Sequence, residues 1–262
     1  MTSTGADGPF ETLVGRNAIL EVFRAGRRRI RRVYVAETAE ARGALAALLE
    51  HAEKARIVVE RVARERLPGG EEAHGVAAEA EPYPYSDLGE ILDRAEARRE
   101  PVLILLLDAV QDPQNLGTLL RTAEAVGVHG VILPYRKGVG VTPAVVRVSS
   151  GASEHLLVAR ENLAQAIGRL KDLGTRVVGL DMGAAGPSLA DIDLRGPVGL
   201  VVGGEGSGLR RLVRESCDGL VRLPMRGRIA SLNAAVAGSL ALYAAWAQRG
   251  YAGASIDPLP KS

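Results

Sequence analysis

"DPQNLGTLLRTAEAVG", residues 112–127, predicts an amphipathic helix that carries its own start signal. Asp112 stands at an N-cap position, and Pro113 suits the first helical position because the amide hydrogen that it lacks would have no helical partner there. Apolar residues then recur every three or four positions, which builds one stripe for packing against a core. The stripe consists of Leu116, Leu119, Leu120, Ala123 and Val126.

Two residues of this stretch are not explained by packing alone. Gly117 costs about 1 kcal/mol in a helix interior relative to alanine. Arg121 lies four positions further on, so the two residues share one face of the helix, and we expect that face to point away from the apolar stripe. We therefore predict that another group approaches the helix beside the arginine.

The sequence around the helix predicts an α/β fold with a parallel sheet. "VLILLLD" (102–108) is a continuous apolar run, which is typical of a strand covered on both faces. Further apolar runs alternate with helical patterns, and ligands in such sheets bind at the carboxyl ends of the strands. The predicted strands are 130–134, 155–159, 176–181, 198–204 and 219–224, and the predicted helices are 142–153, 161–173, one from about 209 and one from about 231.

The first part of the chain predicts a smaller α/β layer that is separate from this sheet. Its predicted elements are a helix at 16–26, a strand at 30–36, a helix at 39–54 and a strand at 57–62, and a glycine-containing turn then leads to the apolar stretch 76–80. Two prolines in "EPYPYSD" (81–87) then interrupt the pattern, and "RAEARRE" (94–100) ends a charged helix that we expect to be exposed. We predict a disordered leader at 1–11, an N-terminal domain at 12–81, a linker at 82–100, a second domain at 101–250 and a tail at 251–262.

Composition indicates an ordinary globular protein. The 262 residues are 47% hydrophobic and 24% charged, and the single cysteine, Cys217, excludes an internal disulfide framework. Cys217 has no neighbouring base, which favours a small core residue over a nucleophile. None of the four histidines stands at metal-ligand spacing from Cys or Asp, so we expect no metal site. The polar start of the chain and the short apolar run at 234–247 predict no signal and no membrane span, and hence a cytoplasmic protein.

Positive charge is concentrated near the N-terminus. The formal net charge is only +2, but "RAGRRRIRR" (24–32) holds six arginines in nine residues. A GC-biased genome would explain a general excess of arginine over lysine, whereas the local cluster favours contact with RNA or another polyanion. The predicted RNA-binding residues are Arg16, Arg27, Arg28, Arg29, Arg31 and Arg32.

"VVGGEGSGL" (201–209) follows a predicted strand and opens a helix, where free backbone amides can hold a ligand. Its spacing fits neither a Walker loop nor the dinucleotide fingerprint, and the glycines alone would also suit a flexible turn. Glu205 inside the loop disfavours phosphate. Its carboxylate matches the amino and hydroxyl donors of an adenosine or methionine group better.

"LPMRGRIASLNAAVAGSLALY" (223–243) opens the last helix. Taken alone, Ser231 is explained as its N-cap and Asn233 as a first-turn residue. The helix behind them is built from small and apolar residues, so another backbone or a ligand can approach it closely. With Tyr243 and Trp246, it is also a candidate dimer interface.

These three segments, in this order, resemble the three motifs of the SPOUT superfamily, and within it the SpoU/TrmH branch of RNA 2′-O-ribose methyltransferases. "LVGRNAILEVFRAG" and "SSGASEHLLVAR" resemble the members that act on guanosine in 23S ribosomal RNA, and the likeness covers roughly residues 12–248. The resemblance implies an N-terminal RNA substrate-binding domain and a C-terminal SPOUT domain with a deep trefoil knot. It also implies a homodimer formed through that domain, with S-adenosyl-L-methionine as cofactor.

The resemblance also assigns residues. The positions that match the family's catalytic site are Asn115, Arg121, Glu205, Ser231 and Asn233. Those that match its cofactor loops are Leu180, Gly203, Gly206, Leu223, Met225 and Leu232. The sequence departs from the family pattern at two places. Ala235 stands where members usually have Ser, which concerns a hydrogen bond at the cofactor or the interface. His74-Gly75 stands where members have His-Gln-Gly, which concerns contacts with RNA.

The implied function is methylation of a ribose 2′-hydroxyl, most specifically at a guanosine of 23S rRNA. Because a guanidinium is always protonated, our hypothesis for Arg121 is stabilisation of negative charge on the 2′-oxygen rather than general base catalysis. The alternatives are the same chemistry on tRNA or at an antibiotic-protective rRNA site, a non-catalytic RNA-binding assembly factor, and a Rossmann-type NAD enzyme, which the missing fingerprint disfavours.

Overall fold

A computed structural model of the chain describes residues 10–181, 183, 186–206, 208–229 and 231–254. These residues belong to two compact units. Of the described residues, the first unit comprises 10–84 together with Val141–His155, and the second comprises Tyr85–Gly140 and those within 156–254.

The strands are β1 (Glu11–Val14), β2 (Ile30–Ala36), β3 (Val58–Val62), β4 (Val76–Ala80), β5 (Leu103–Asp108), β6 (Gly130–Pro134), β7 (Val158–Glu161), β8 (Arg176–Leu180), β9 (Val198–Gly203) and β10 (Gly219–Val221). The helices are α1 (Arg16–Ala25), α2 (Ala44–Lys54), α3 (Leu88–Arg98), α4 (Pro113–Ala125), α5 (Pro143–Val148), α6 (Leu163–Asp172), α7 (Arg211–Ser216) and α8 (Ala234–Gln248). The predicted α/β class is confirmed, and most predicted elements end within a few residues of the observed ones.

The first unit is a four-stranded mixed sheet in the order β1-β4-β2-β3, with α1 packed against α2. Strand β2 runs parallel to β3 and antiparallel to β4. α1 buries one apolar face and ends at Gly26, whose left-handed backbone places its N–H on the carbonyl of Val22. Strand β1 is absent from the prediction because four residues carry too little periodicity to signal a strand.

The segment predicted as a helix at 142–153 belongs to this first unit. It forms α5 and a following 3-10 turn at Ala152–His155. Glu154 in that turn is buried and accepts hydrogen bonds from Arg28 at Nε (3.0 Å) and Nη2 (2.7 Å). Arg28 also donates to Glu11 at 3.1 Å. Assigning Arg28 to RNA binding is therefore wrong. Its side chain is only 1% exposed, and its guanidinium nitrogens donate to Glu154 and Glu11 within the same unit.

Arg28→Ala is expected to destabilise the protein by about 3–5 kcal/mol, because it leaves the buried Glu154 carboxylate unpaired. Burial raises the pKa of Glu154 above its ordinary value of 4.5, and Arg28 opposes that rise. The folded variant therefore prefers protonated Glu154, and the loss in stability should grow as pH rises through that ordinary value. Urea unfolding of parent and variant near pH 4 and near pH 7 measures both effects.

Glu154→Gln in the Arg28→Ala background supplies the control for this pH dependence. It removes the titrating group while keeping a similar side-chain volume. The double variant should lose the added pH dependence and recover part of the stability. An equal loss for Arg28→Ala at both pH values would contradict the assignment.

The second unit is built on a six-stranded sheet in the order β10-β8-β9-β5-β6-β7. Every pairing in it is parallel, so the carboxyl ends of all six strands lie along one edge. β5 and β9 are adjacent at the centre and are buried along their whole length. This explains why their sequences are unbroken apolar runs.

α4 follows β5 and confirms the helix predicted at 112–127. Asp112 caps it by accepting from the amide of Gln114 at 3.0 Å, and Pro113 is its first residue. The stripe packs into the core as expected. Gly117 is buried as well, so the expectation that it lies on an exposed face beside Arg121 is wrong, although Arg121 itself is exposed.

The segment predicted as a linker at 82–100 contains α3, which starts with a capping box between Asp87 and Glu90. Leu88, Ile91 and Ala95 of this helix are buried, and the first two belong to the core of the second unit. The predicted leader and tail fall largely outside the described residues, and Glu11 is already part of β1. None of the described helices has the length and apolar character needed to span a bilayer.

Candidate active site

A cavity of about 230 Å³ lies at the carboxyl ends of β8 and β9. Four of the six predicted cofactor residues line it, namely Leu180, Gly203, Gly206 and Leu232. Two of the predicted catalytic residues, Glu205 and Ser231, line it too. The other two cofactor candidates are not part of its wall: Leu223 is buried, and Met225 is 38% exposed.

The glycine loop of this cavity packs backbone against backbone. A Cβ on Gly203 would lie 2.3 Å from the carbonyl carbon of Gly208, and one on Gly204 would lie 2.3 Å from the carbonyl oxygen of Ala109. The amide of Gly208 donates to the carbonyl of Gly204 at 3.1 Å. Gly203 and Gly204 are thus required, because a side chain at either position would collide with the backbone that approaches it.

A buried ion pair fixes the far end of the loop. Asp108, the last residue of β5, is fully buried and accepts from both the backbone N–H (2.7 Å) and the Nε (2.6 Å) of Arg210. Two charge-assisted bonds to one carboxylate hold the start of α7 against the sheet edge. Sequence reasoning missed this pair, although an aspartate ending an otherwise apolar strand was the available signal.

Three of the predicted catalytic residues form a hydrogen-bonded cluster beside the cavity. The Glu205 Oε1 atom accepts from Asn115 Nδ2 at 3.0 Å and from Asn233 Nδ2 at 2.5 Å. Asn233 Nδ2 also donates to Asn115 Oδ1 at 2.9 Å. These residues come from α4, the glycine loop and the start of α8, so the cluster joins all three sequence motifs. Among the described residues, Glu205 Oε2 accepts no hydrogen bond.

Asn233, rather than Ser231, is the N-cap of α8. Its Oδ1 accepts from the amides of Ala235 (2.8 Å) and Val236 (3.2 Å), while its Nδ2 serves the cluster. Capping and site assembly therefore use opposite ends of one amide group. Ser231 precedes the helix as an exposed residue of the cavity wall.

Arg121, the remaining predicted catalytic residue, is exposed on α4. It is six residues beyond Asn115 on α4, which is about 9 Å along the helix axis.

The remaining predicted RNA-binding arginines differ in how available they are. Arg27 is half-buried and donates to the carbonyl of Pro84 at 2.9 Å, and Arg32 pairs with Glu60 at 3.0 Å. Arg29 and Arg31 are exposed, and Arg16 is half-buried. The arginine-rich segment is therefore partly structural.

Cys217 is not a nucleophile in this structure. It is partly buried against the core of the second unit, and its thiol donates to the carbonyl of Val213 at 3.2 Å. Burial raises the pKa of the thiol to about 11, so it stays protonated at neutral pH. The prediction of a small core residue is confirmed.

The fold and site define an α/β enzyme whose ligand cavity lies at the carboxyl edge of a parallel sheet. Comparison with known families specifies the class further: the chain belongs to the SpoU rRNA methylase family, whose model matches residues 102–243. A second model, described as RNA 2′-O ribose methyltransferase substrate binding, matches residues 12–86. The resemblance drawn from the three motifs is confirmed.

Similar proteins cover nearly the whole chain. A putative TrmH family tRNA/rRNA methyltransferase of Bacillus subtilis is 38% identical over 90% of this chain and 95% of its own. The 23S rRNA (guanosine-2′-O-)-methyltransferase of Bordetella pertussis is 41% identical over 91% and 98%, respectively. The crystal structure of the SpoU methyltransferase AviRb from Streptomyces viridochromogenes matches with a TM-score of 0.77 and 28% identity, covering 92% and 90%. That enzyme is also known in complex with AdoMet.

Proposed function

We propose that this protein transfers a methyl group from S-adenosyl-L-methionine to a ribose 2′-hydroxyl in RNA, at a guanosine of 23S rRNA. The observation that carries the proposal is the Asn115–Glu205–Asn233 cluster, which lies next to a glycine-lined cavity. The cluster provides an oriented carboxylate, and the cavity provides exposed backbone for a nucleoside. Both are needed at one place for this chemistry.

The residues of the cavity fit the proposed cofactor. Leu180 and Leu232 offer apolar contact to an adenine ring, and the loop from Gly203 to Gly206 offers backbone groups. Glu205 adds the only carboxylate of that loop, which matches amino or hydroxyl donors and a positively charged sulfur. S-adenosyl-L-methionine supplies, when bound, a methyl group activated by that sulfur.

Residues of this chain would activate the ribose 2′-hydroxyl for methyl transfer. A neutral 2′-hydroxyl is a poor nucleophile, so its oxygen must gain negative character as its proton leaves. In this proposal Arg121 holds the adjacent phosphate and stabilises that charge. Glu205 is held at Oε1 by two amides, which leaves Oε2 to accept the proton, and a phosphate oxygen of the RNA is the alternative acceptor.

The proposal extends to the architecture. Residues 12–81 would bind the RNA substrate, and residues 101–250 would form the methyltransferase domain, whose chain would thread a deep trefoil knot. Val236, Leu240 and Tyr243 of α8 are each nearly half exposed at helical spacing, which supports a homodimer interface on this helix. Action on ribosomal RNA would place the protein in the cytoplasm.

The choice of 23S rRNA is supported by the similarity to the Bordetella pertussis enzyme. The tRNA alternative is supported by the naming of the Bacillus subtilis relative, which allows both RNAs. A non-catalytic assembly factor is disfavoured because the cluster that such a factor would not need is intact.

Mapping of ribose methylation tests this target. Deleting the gene should remove 2′-O-methylation from one guanosine of 23S rRNA, and the parent gene should restore it. A plasmid copy carrying Glu205→Gln is the matched control, since it keeps the amide contacts of the cluster but removes the carboxylate. A modification lost from tRNA instead would transfer the activity to that substrate.

Calorimetry tests the cofactor separately. The purified protein should bind S-adenosyl-L-methionine, and NAD should give no heat of binding. Absence of S-adenosyl-L-methionine binding would revive the non-catalytic alternative. Binding of NAD would instead support the oxidoreductase alternative.

A further inference from the structure

The second unit contains another, larger cavity that has no role in the function proposed above. It encloses about 670 Å³ and lies at the carboxyl ends of β6 and β7, beside the N-termini of α6 and α7. Its wall includes Tyr135, Arg136, Lys137, Arg210 and Arg211. We call it the basic groove.

Two of these cations have no counter-charge. Arg210 is committed to Asp108, and Arg211 pairs with Glu215 at 2.9 Å. The one acidic residue of the wall, Glu161, is itself paired with Arg169 at 2.9 Å. Within the described part of the chain, neither Arg136 nor Lys137 makes an ion pair or a side-chain hydrogen bond. The groove therefore carries positive charge that an external anion can neutralise.

An exposed aromatic ring stands next to these cations. Tyr135 is 61% exposed, so much of its ring is accessible to another molecule. The loop that carries it is held on both sides: Arg160 donates to the carbonyl of Tyr135 at 2.9 Å, and the amide of Val139 donates to the carbonyl of Val110 at 2.9 Å. Lys137 between these anchors has a left-handed backbone (φ 65°), so a strained turn presents the side chains.

The groove lies on the same edge of the sheet as the cofactor cavity. In the strand order β8-β9-β5-β6-β7, the cavity is at β8 and β9, the groove is at β6 and β7, and Asp108 ends the strand between them. Two strand spacings, about 10 Å, separate β9 from β6. A short run of nucleotides spans that distance, and the Arg210–Asp108 pair ties the wall of the groove to the end of the glycine loop.

From this arrangement we propose that the basic groove binds the RNA strand flanking the methylated nucleotide, with Arg136 and Lys137 on phosphates and a base stacked on Tyr135. This inference rests on the proposed function and adds a substrate site within the methyltransferase unit. Unpaired cations beside an exposed ring are the combination that single-stranded RNA requires. An acidic protein could pair its carboxylates with Arg136 and Lys137, but it has no bases to stack on the Tyr135 ring.

The test compares Arg136→Gln/Lys137→Gln with a control pair, Arg98→Gln/Arg176→Gln. The control removes the same charge, but Arg98 ends α3 and Arg176 begins β8, at the opposite edge of the sheet. Fluorescence anisotropy with protein-free 23S rRNA transcript and with a short single-stranded RNA, at several salt concentrations, reports affinity. Affinity for S-adenosyl-L-methionine is measured in parallel.

The groove variant should bind both RNAs about tenfold more weakly, and its salt slope should fall by about 1.4, the value for two phosphates on a single strand. The control pair should keep the parental slope, and cofactor affinity should stay unchanged in both. Tyr135→Ala should weaken RNA binding by about fivefold or more, whereas Tyr135→Phe should stay within about twofold of the parent.

An unchanged salt slope in the groove variant, or an equal change in the control pair, would overturn the proposal. Normal binding to free RNA combined with lost activity on ribosomal particles would also overturn it, in favour of an acidic protein partner. RNA binding is measured directly and does not depend on methylation. Failure of the parent protein to methylate RNA would therefore refute the proposed function, while the binding data would still test the groove.

Discussion

Arg121→Ala is expected to lower the single-turnover rate of RNA methylation by about 10²–10³-fold, the range measured for removal of one group that stabilises developing negative charge. The guanidinium is permanently protonated, so it can stabilise charge on the 2′-oxygen but cannot remove the proton. Because Arg121 is exposed, its loss should leave the thermal unfolding temperature close to that of the parent. Single-turnover conditions are needed because product release can mask the chemical step.

Two controls separate charge from geometry and from helix effects. Glu124→Ala removes another exposed side chain of the same helix, and its rate should match the parent. Arg121→Lys keeps the charge but not the planar fork, and should recover only part of the rate. A rate for Arg121→Ala within about threefold of the parent would refute the assigned role.

Local signals in the sequence were enough for most of the fold. An N-cap aspartate, a proline at the first position and a regular apolar stripe identify α4 almost to the residue, because helix termini and amphipathic faces are encoded within one segment. The continuous apolar runs likewise identify β5 and β9 as central strands. Both kinds of signal depend on neighbours in sequence alone.

The errors arose where the structure depends on residues distant in sequence. Arg28 and Glu154 are 126 positions apart, and nothing in the arginine-rich segment indicates that one of its members is buried against a carboxylate. The same holds for Asp108 and Arg210, which are separated by 102 positions. In both cases the partner becomes visible only when the topology brings two strand ends or two turns together.

The candidate active site was predicted in part: its residues could be named from the sequence, but their contacts could not. Resemblance to a family named Asn115, Glu205 and Asn233, but their mutual hydrogen bonds follow from the sheet order rather than from any motif. The sequence predicts Ser231 as the N-cap of α8, two positions before the observed cap Asn233, because both residue types favour the N-cap and two positions are within the usual uncertainty of a helix end.

Gly203→Ala is expected to weaken binding of S-adenosyl-L-methionine by about 5- to 150-fold, which corresponds to an overpacking cost of about 1–3 kcal/mol. The added methyl carbon would lie 2.3 Å from the carbonyl carbon of Gly208, 2.4 Å from its oxygen and 2.7 Å from the amide nitrogen of Leu209. All three are backbone atoms, so no side-chain rotation relieves the contact. The glycine loop must shift away from β9 and thereby change the cavity wall.

The backbone of Gly203 is ordinary for a strand, so the effect of alanine comes from the contact and not from an unusual φ. Gly227→Ala is the matched control, since a Cβ there meets no atom within 4 Å and its φ is also unexceptional. Calorimetry and thermal unfolding of both variants separate a moved loop from general instability. The Asp108–Arg210 pair holds the far end of the loop, so the shift should concentrate near the cavity and reduce affinity more than stability. Parental affinity in Gly203→Ala would show that the cofactor does not contact this loop.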